Sequence, residues 1–101
     1  NINIRDKAEQ APLFMAVAKI DANMVNWLLK HQADANIQAK GVHPLHLSVR
    51  NRDMDSIKWL LAYGADINVR DQAGRTPLFV AVKEGNADVT DWLLKHQADV
   101  K

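Results

Sequence analysis

Trp27-Leu28-Leu29-Lys30-His31-Gln32-Ala33-Asp34 returns almost unchanged as Trp92-Leu93-Leu94-Lys95-His96-Gln97-Ala98-Asp99. A looser copy, Trp59-Leu60-Leu61-Ala62-Tyr63-Gly64-Ala65-Asp66, lies between them. At one constant offset before each tryptophan stands a Pro-Leu pair: Pro12-Leu13, Pro44-Leu45 and Pro77-Leu78. Self-similarity at a fixed period of about 33 residues marks a repeat architecture, in which no unit buries its apolar face alone.

The third unit shows the plan. Asp71-Gln72-Ala73-Gly74 is a turn signal. Thr76 is placed to cap a helix whose first position is Pro77, where the missing N–H costs nothing. Leu78, Ala81 and Val82 follow at i, i+3 and i+4, an apolar stripe on a short helix. Gly85-Asn86 interrupts it, and Asn86 is placed to cap a second helix carrying Val89, Trp92, Leu93 and Leu94 inward. The second unit repeats this with Leu45, Ser48 and Val49, then Asp53 as cap before Ile57, Trp59, Leu60 and Leu61. The first has Leu13, Ala16 and Val17, then Asp21 before Met24, Val25, Trp27, Leu28 and Leu29. Helices this short are marginal in water, so their stripes must be buried between neighbouring units. On this reading the tryptophans belong to the core, each removing roughly 150–250 Å² from water.

The period, Thr76-Pro77-Leu78 after a glycine turn, Ala81 four residues past the proline, and Leu60-Leu61 followed by Gly64-Ala65-Asp66-Ile67-Asn68 together resemble the ankyrin repeat. The likeness spans essentially the whole chain. It implies an all-α fold: an α-solenoid of helix-turn-helix pairs joined by β-hairpin-like loops. It also implies a single ankyrin repeat domain over 1–101, with repeats at approximately 6–37, 38–70 and 71–101, and residues 1–5 closing a preceding repeat. The sequence departs from the family at its glycines. Glu9 stands at a turn glycine, Ile20 and Arg52 at the inter-helix glycine, and Gln32 and Gln97 at the helix-ending glycine. Such positions favour a left-handed backbone that other side chains resist, so strain or local re-routing is expected there. Asn1-Ile2-Asn3-Ile4-Arg5-Asp6 parallels Asp66-Ile67-Asn68-Val69-Arg70-Asp71, and neither outer unit has the polar outer face of a cap. The pattern fits a segment of a longer array with further ankyrin repeats, or end faces that pair between molecules.

Composition narrows the function. The 101 residues are 48% hydrophobic and 25% charged, with formal net charge +1 and no cysteine. That excludes disulfides and thiolate chemistry and fits an intracellular, cytoplasmic or nuclear, setting. Near-neutral charge argues against bulk nucleic-acid binding. No apolar run approaches the roughly 20 residues of a membrane span. Catalysis needs an acid–base or nucleophilic group in a pocket. Here Ser48 takes the position of Ala16 and Ala81, where a hydroxyl packed against backbone is the better reading. His43 and His46 lack a third ligand for zinc. His46 takes the family's turn-bridging position, and the helix-terminal His31 and His96 suit a polar contact or a cation. The sequence therefore assigns no catalytic residue, metal or cofactor.

In ankyrin proteins partners bind the concave surface of hairpin tips and first helices. The matching positions in the first unit include Arg5, Lys7 and Lys19. The second contributes Ile37, Lys40, Val42 and Arg50, and the third Arg70, Gln72, Arg75 and Lys83, with Tyr63 on the border. Arg5, Lys7, Lys19, Lys40, Arg50, Arg70, Arg75 and Lys83 face Glu84 alone there, whereas acids gather around the second helices. The expected function is a non-catalytic protein–protein interaction module that takes an acidic partner segment on this face. One alternative is a nucleotide or single-stranded nucleic-acid receptor in the same basic groove. The absence of exposed aromatics other than Tyr63 counts against it. Another is a passive spacer within a longer scaffold. The resemblance also makes Asn36 and Asn68 candidate hydroxylation positions, which a mass shift on Asn68 in cell-purified protein would support.

Overall fold

The computed structural model describes residue 3 and residues 11–39 and 41–96. Among these residues six helices follow one another in three pairs: α1 (Pro12–Ala18) with α2 (Ala22–Lys30), α3 (Pro44–Arg50) with α4 (Met54–Ala62), and α5 (Pro77–Lys83) with α6 (Ala87–Lys95). The first helix of each pair has 7 residues and the second 9. Each first helix begins at its proline, which supplies the helical φ and has no N–H to leave orphaned.

Capping follows the sequence closely. The carboxylate of Asp21 accepts from the Met24 N–H at 3.1 Å and that of Asp53 from Ser56 at 3.3 Å. The Asn86 carboxamide accepts from Val89 at 3.2 Å, and the Thr76 hydroxyl from Phe79 at 3.2 Å. Ala11 and His43 occupy the same position as Thr76 without making a side-chain cap.

The pairs stack in order. α1 packs on α3 and α3 on α5, each against its own second helix, while α2 lies along α4. Val17, Val25, Val49, Ile57, Leu60, Ala81 and Leu93 are completely buried along the stack axis. Each leucine or isoleucine taken out of water there contributes roughly 2 kcal/mol. Ser48 is packed as expected, fully buried with its hydroxyl donating to the Leu45 carbonyl at 2.9 Å.

Several expectations about the core and the concave surface are corrected. Trp27 and Trp59 are 52% and 37% exposed, whereas Trp92 is half-buried and packs against the core. Successive helical residues are rotated by about 100°, so Trp-Leu-Leu spans too wide an arc to face one core. Leu28, Leu60 and Leu93 take the centre, and each tryptophan lies toward one side of its helix. Val82 is 60% exposed although Val17 and Val49, at the same position, are fully buried. Leu94 is likewise exposed, and so is Met24 at the other end of the stack. Ile37, expected on the concave surface, is buried in the core.

The left-handed backbone persists where glycine is absent. Ile20 and Arg52 have φ of 57° and 56°, beside 70° at Gly85 in the same position, and Gln32 has 73° where Gly64 has 95°. These three loops are therefore not re-routed, while Glu9 and Gln97 fall outside the described residues. All three hold side chains in a conformation that costs about 1–2 kcal/mol per residue.

The loops between pairs are hairpin-like without being strands. Ala39 and Val42 exchange both backbone hydrogen bonds at 2.9 Å around Gly41, which forms an isolated bridge. In the next loop the Asp71 N–H donates to the Arg75 carbonyl at 2.9 Å.

Side chains bind the units together across these loops. The Asn36 carboxamide accepts from the Asp66 N–H and donates to the Gly64 carbonyl, both at 2.9 Å. Asn3 similarly accepts from the Asp34 N–H at 2.9 Å. Nearer the helices, Asn51 donates to the Val17 carbonyl at 3.1 Å and Arg52 to the Glu84 carbonyl at 3.3 Å.

Candidate interaction surface

Val42, Arg50, Asp71, Gln72, Ala73 and Arg75 line one hollow between the second and third hairpin tips. It thus brings together four of the expected binding residues: Val42, Arg50, Gln72 and Arg75. Lys19, Tyr63, Arg70 and Lys83 are exposed but lie outside its lining. Arg5, Lys7 and Lys40 fall outside the described residues.

Asp71 organises the hollow, and the charge pattern alone did not single it out. Its carboxylate accepts from the backbone N–H of Ala73 at 2.9 Å and of Arg75 at 2.8 Å, closing the turn. The Arg75 guanidinium lies 3.8 Å away. Burial pushes this carboxyl up, but the two backbone donors, with His46 and Arg75 nearby, outweigh it and hold it below the usual carboxylate value. Arg70 donates to the Gly74 carbonyl at 3.1 Å. Two of the guanidiniums are therefore partly spent on shaping the turn. Arg50, exposed at the end of α3, has no carboxylate partner among the described residues.

Behind the hollow stand two histidines. His46 is 1% exposed, and its Nε2–H donates to the Arg75 carbonyl at 2.7 Å, bridging one turn to the next as expected. With that proton on Nε2, Nδ1 is bare in the neutral ring, and it has no partner. The His43 ring lies 5.6 Å from it, its own Nδ1 also buried and unpartnered. Burial holds His43 below the ordinary imidazole value and His46 adds to this, against the opposing carboxylates of Asp66 and Asp71. Burial also lowers His46, helped by Arg50 and opposed by the Arg75 carbonyl and Asp71.

A pH dependence follows with a definite sign. The unfolded chain titrates its histidines near 6.5, above the folded values, so the unfolded state binds more protons as pH falls. Stability is at its full value above pH 6.5 and declines below it, with Asp71 contributing a further loss only in stronger acid, below 3.8. Replacing His43 by threonine, the residue at the same position before α5, should add about 1 kcal/mol through a helix cap. It should also flatten the slope of denaturant-derived stability between neutral and mildly acidic pH. An unchanged slope would rule out His43 as a contributor.

The other histidines are engaged elsewhere. His31 and His96 each donate Nδ1–H to the carbonyl of Trp27 or Trp92 at 2.8 Å, and their rings stack on those indoles at 4.0 and 3.7 Å. The expectation that no aromatic other than Tyr63 is exposed is overturned, since Trp27, Trp59 and Phe79 are also exposed. None of them lines the hollow, however, so the basic groove has no stacking platform. Asn36 is exposed with both carboxamide atoms hydrogen-bonded, and Asn68 is half-buried, its backbone N–H donating to Asp66 at 2.9 Å.

This geometry of stacked helix pairs with projecting tips agrees with comparison to known families. Residues 1–71 match the model described as ankyrin repeats (3 copies), and residues 51–94 match that for ankyrin repeats (many copies). The chain belongs to the ankyrin repeat family. No curated protein matches it as a relative. Ankyrin repeats are generally protein–protein interaction modules and typically non-catalytic. Among the described residues of this ankyrin domain, no helix is long and apolar enough to cross a membrane.

Proposed function

We propose that the chain is a non-catalytic binding module of the cytoplasm or nucleus that takes an acidic segment of a partner protein across its hairpin tips. The hollow carries this reading. Val42 offers an apolar, half-buried wall, Gln72 an exposed polar side chain, and Arg50 and Arg75 positive charge at its sides. A flexible carboxylate-bearing segment fits such a site because guanidinium groups match carboxylates bidentately and attract them at longer range. The lack of aromatic lining favours this ligand over a nucleobase, which would need a surface to stack on.

The test uses a fluorescein-labelled glutamate-rich peptide and fluorescence anisotropy at low and high salt. Combined reversal at Arg50→Glu, Arg70→Glu and Arg75→Glu should weaken binding by at least tenfold and abolish its salt dependence. Arg50→Glu alone, which breaks no side-chain hydrogen bond or ion pair among the described residues, should account for much of that loss. Affinity and salt dependence that survive the triple reversal would overturn the reading.

A further inference from the structure

We infer that the seam between α2 and α4 carries a second binding surface, which takes an arginine side chain from a basic segment of a partner protein. Asp55, Lys58, Trp59 and Ala62 stand at i, i+3, i+4 and i+7 and so form one stripe along α4. Across from them are Ala22 and Asn23, the first residues of α2. Together these side chains line a hollow of about 440 Å³, inside the range of roughly 300–1,000 Å³ usual for ligand clefts. The hollow belongs to an internal seam, where α2 and α4 pack on each other.

The next seam lacks this opening, and the sequence says why. Between α4 and α6, Met54 takes the place of Ala22 and Lys95 the place of Ala62. Met54 and Trp92 both pack against the core there, and Lys95 pairs with Asp91 at 3.1 Å. In the first seam two alanines leave the space empty, and Trp59 remains 37% exposed as one wall of it. An indole kept beside open space forgoes apolar burial that Trp92 gains.

The lining selects the ligand. The face of an indole attracts a cation through its ring quadrupole, and a planar guanidinium can also stack on it. Asp55 is exposed one turn from Trp59, and neither it nor Lys58 forms an ion pair among the described residues. Its carboxylate is thus open to an incoming donor pair, which guanidinium supplies in a fixed fork. Asn23 adds a carboxamide oxygen as a further acceptor. Lys58 repels any cation, so charge alone is a poor ticket of entry and the planar group is favoured.

The surrounding charge agrees with a basic partner. Asp21 and Asp53 cap their helices, and Asp55 and Asp88 lie in first turns, whereas Lys30 and Lys95 stand in last turns. The hollow shares no residue with the one at the hairpin tips, so two partner segments of opposite charge can be held at once.

Nuclear magnetic resonance titration of the 101-residue chain with a glycine–serine peptide carrying paired arginines tests this. The indole N–H signal of Trp59, assigned through Trp59→Phe, should shift to saturation. The same peptide with lysines should bind roughly fivefold more weakly. Asp55→Asn should lower the affinity about tenfold, and Lys58→Ala should raise it. Ala22→Met combined with Ala62→Lys rebuilds the second seam in the first and should abolish binding. None of these changes should alter the affinity for the glutamate-rich peptide, which uses the other hollow. An unmoved Trp59 signal overturns the proposal, as does equal affinity for the lysine peptide, weaker binding by Lys58→Ala, or full affinity in the double variant. Far-ultraviolet circular dichroism checks folding. If the double variant is disturbed, Asp55→Lys replaces it with the same expected loss.

Discussion

Replacing Ile20, Gln32 and Arg52 together by glycine is expected to raise the melting temperature by about 10 °C. All three residues hold a left-handed backbone, with φ of 57°, 73° and 56°. That conformation costs a side-chain-bearing residue about 1–2 kcal/mol, and more for β-branched Ile20. Glycine removes the strain but gives back roughly 0.5–1 kcal/mol as added freedom of the unfolded chain. The net gain is about 0.7 kcal/mol per site, or about 2 kcal/mol together, which corresponds to the stated shift for a domain of this size. Arg52 surrenders its exposed 3.3 Å bond to the Glu84 carbonyl, a minor loss. Thermal unfolding followed by circular dichroism measures the effect. A triple variant no more stable than the wild type would mean that these loops carry no recoverable strain.

The second large effect is a loss, and it separates strain from packing. Gly41 and Gly74 share a φ of 78° in neighbouring hairpin tips, so alanine strains both alike. Only at Gly41 does the new methyl meet the structure. A Cβ there would stand 2.5 Å from the Gln72 Cβ, 3.0 Å from its N and 3.1 Å from its Cα, while at Gly74 nothing lies within 4 Å. Because backbone is involved, relief requires the two tips to move apart. Gly41→Ala should therefore cost about 3 kcal/mol, combining left-handed strain with overpacking, and Gly74→Ala only about 1 kcal/mol. Gln72 lines the hollow, so Gly41→Ala should also weaken peptide binding whereas Gly74→Ala should not. Equal destabilisation by the two variants would show that the tips are not in contact as described.

Much of the fold was legible because its signals are local. Proline at the start of each first helix, Asp21, Asp53, Asn86 and Thr76 at the caps, and the Leu13-Ala16-Val17 stripe need only near neighbours to be interpreted. Trp27 and Trp59 are exposed because neighbours along a helix do not share one face, whereas Trp92 packs against the core. Val82 was misread for another reason: its helix period is correct, but burial depends on a neighbouring unit, which a helical pattern does not encode. At the candidate site, residue-by-residue comparison marked Arg50, Gln72, Arg75 and Val42. The role of Asp71 depends on two backbone hydrogen bonds within one turn, and that of His46 on a carbonyl 29 residues away. Charge pattern carries neither.

The Asn36 carboxamide, shared between Asp66 and Gly64, has a mechanical meaning as well. Like Asn51 to Val17 and His46 to Arg75, it fastens adjoining units through individual side chains rather than a continuous backbone ladder. Under tension along the stack, such fasteners are loaded one seam at a time instead of in parallel. The domain would yield in steps, each freeing about 33 residues and lengthening the tether by roughly 110 Å. It is built as a chain of small latches, able to give way at one seam while the next still holds.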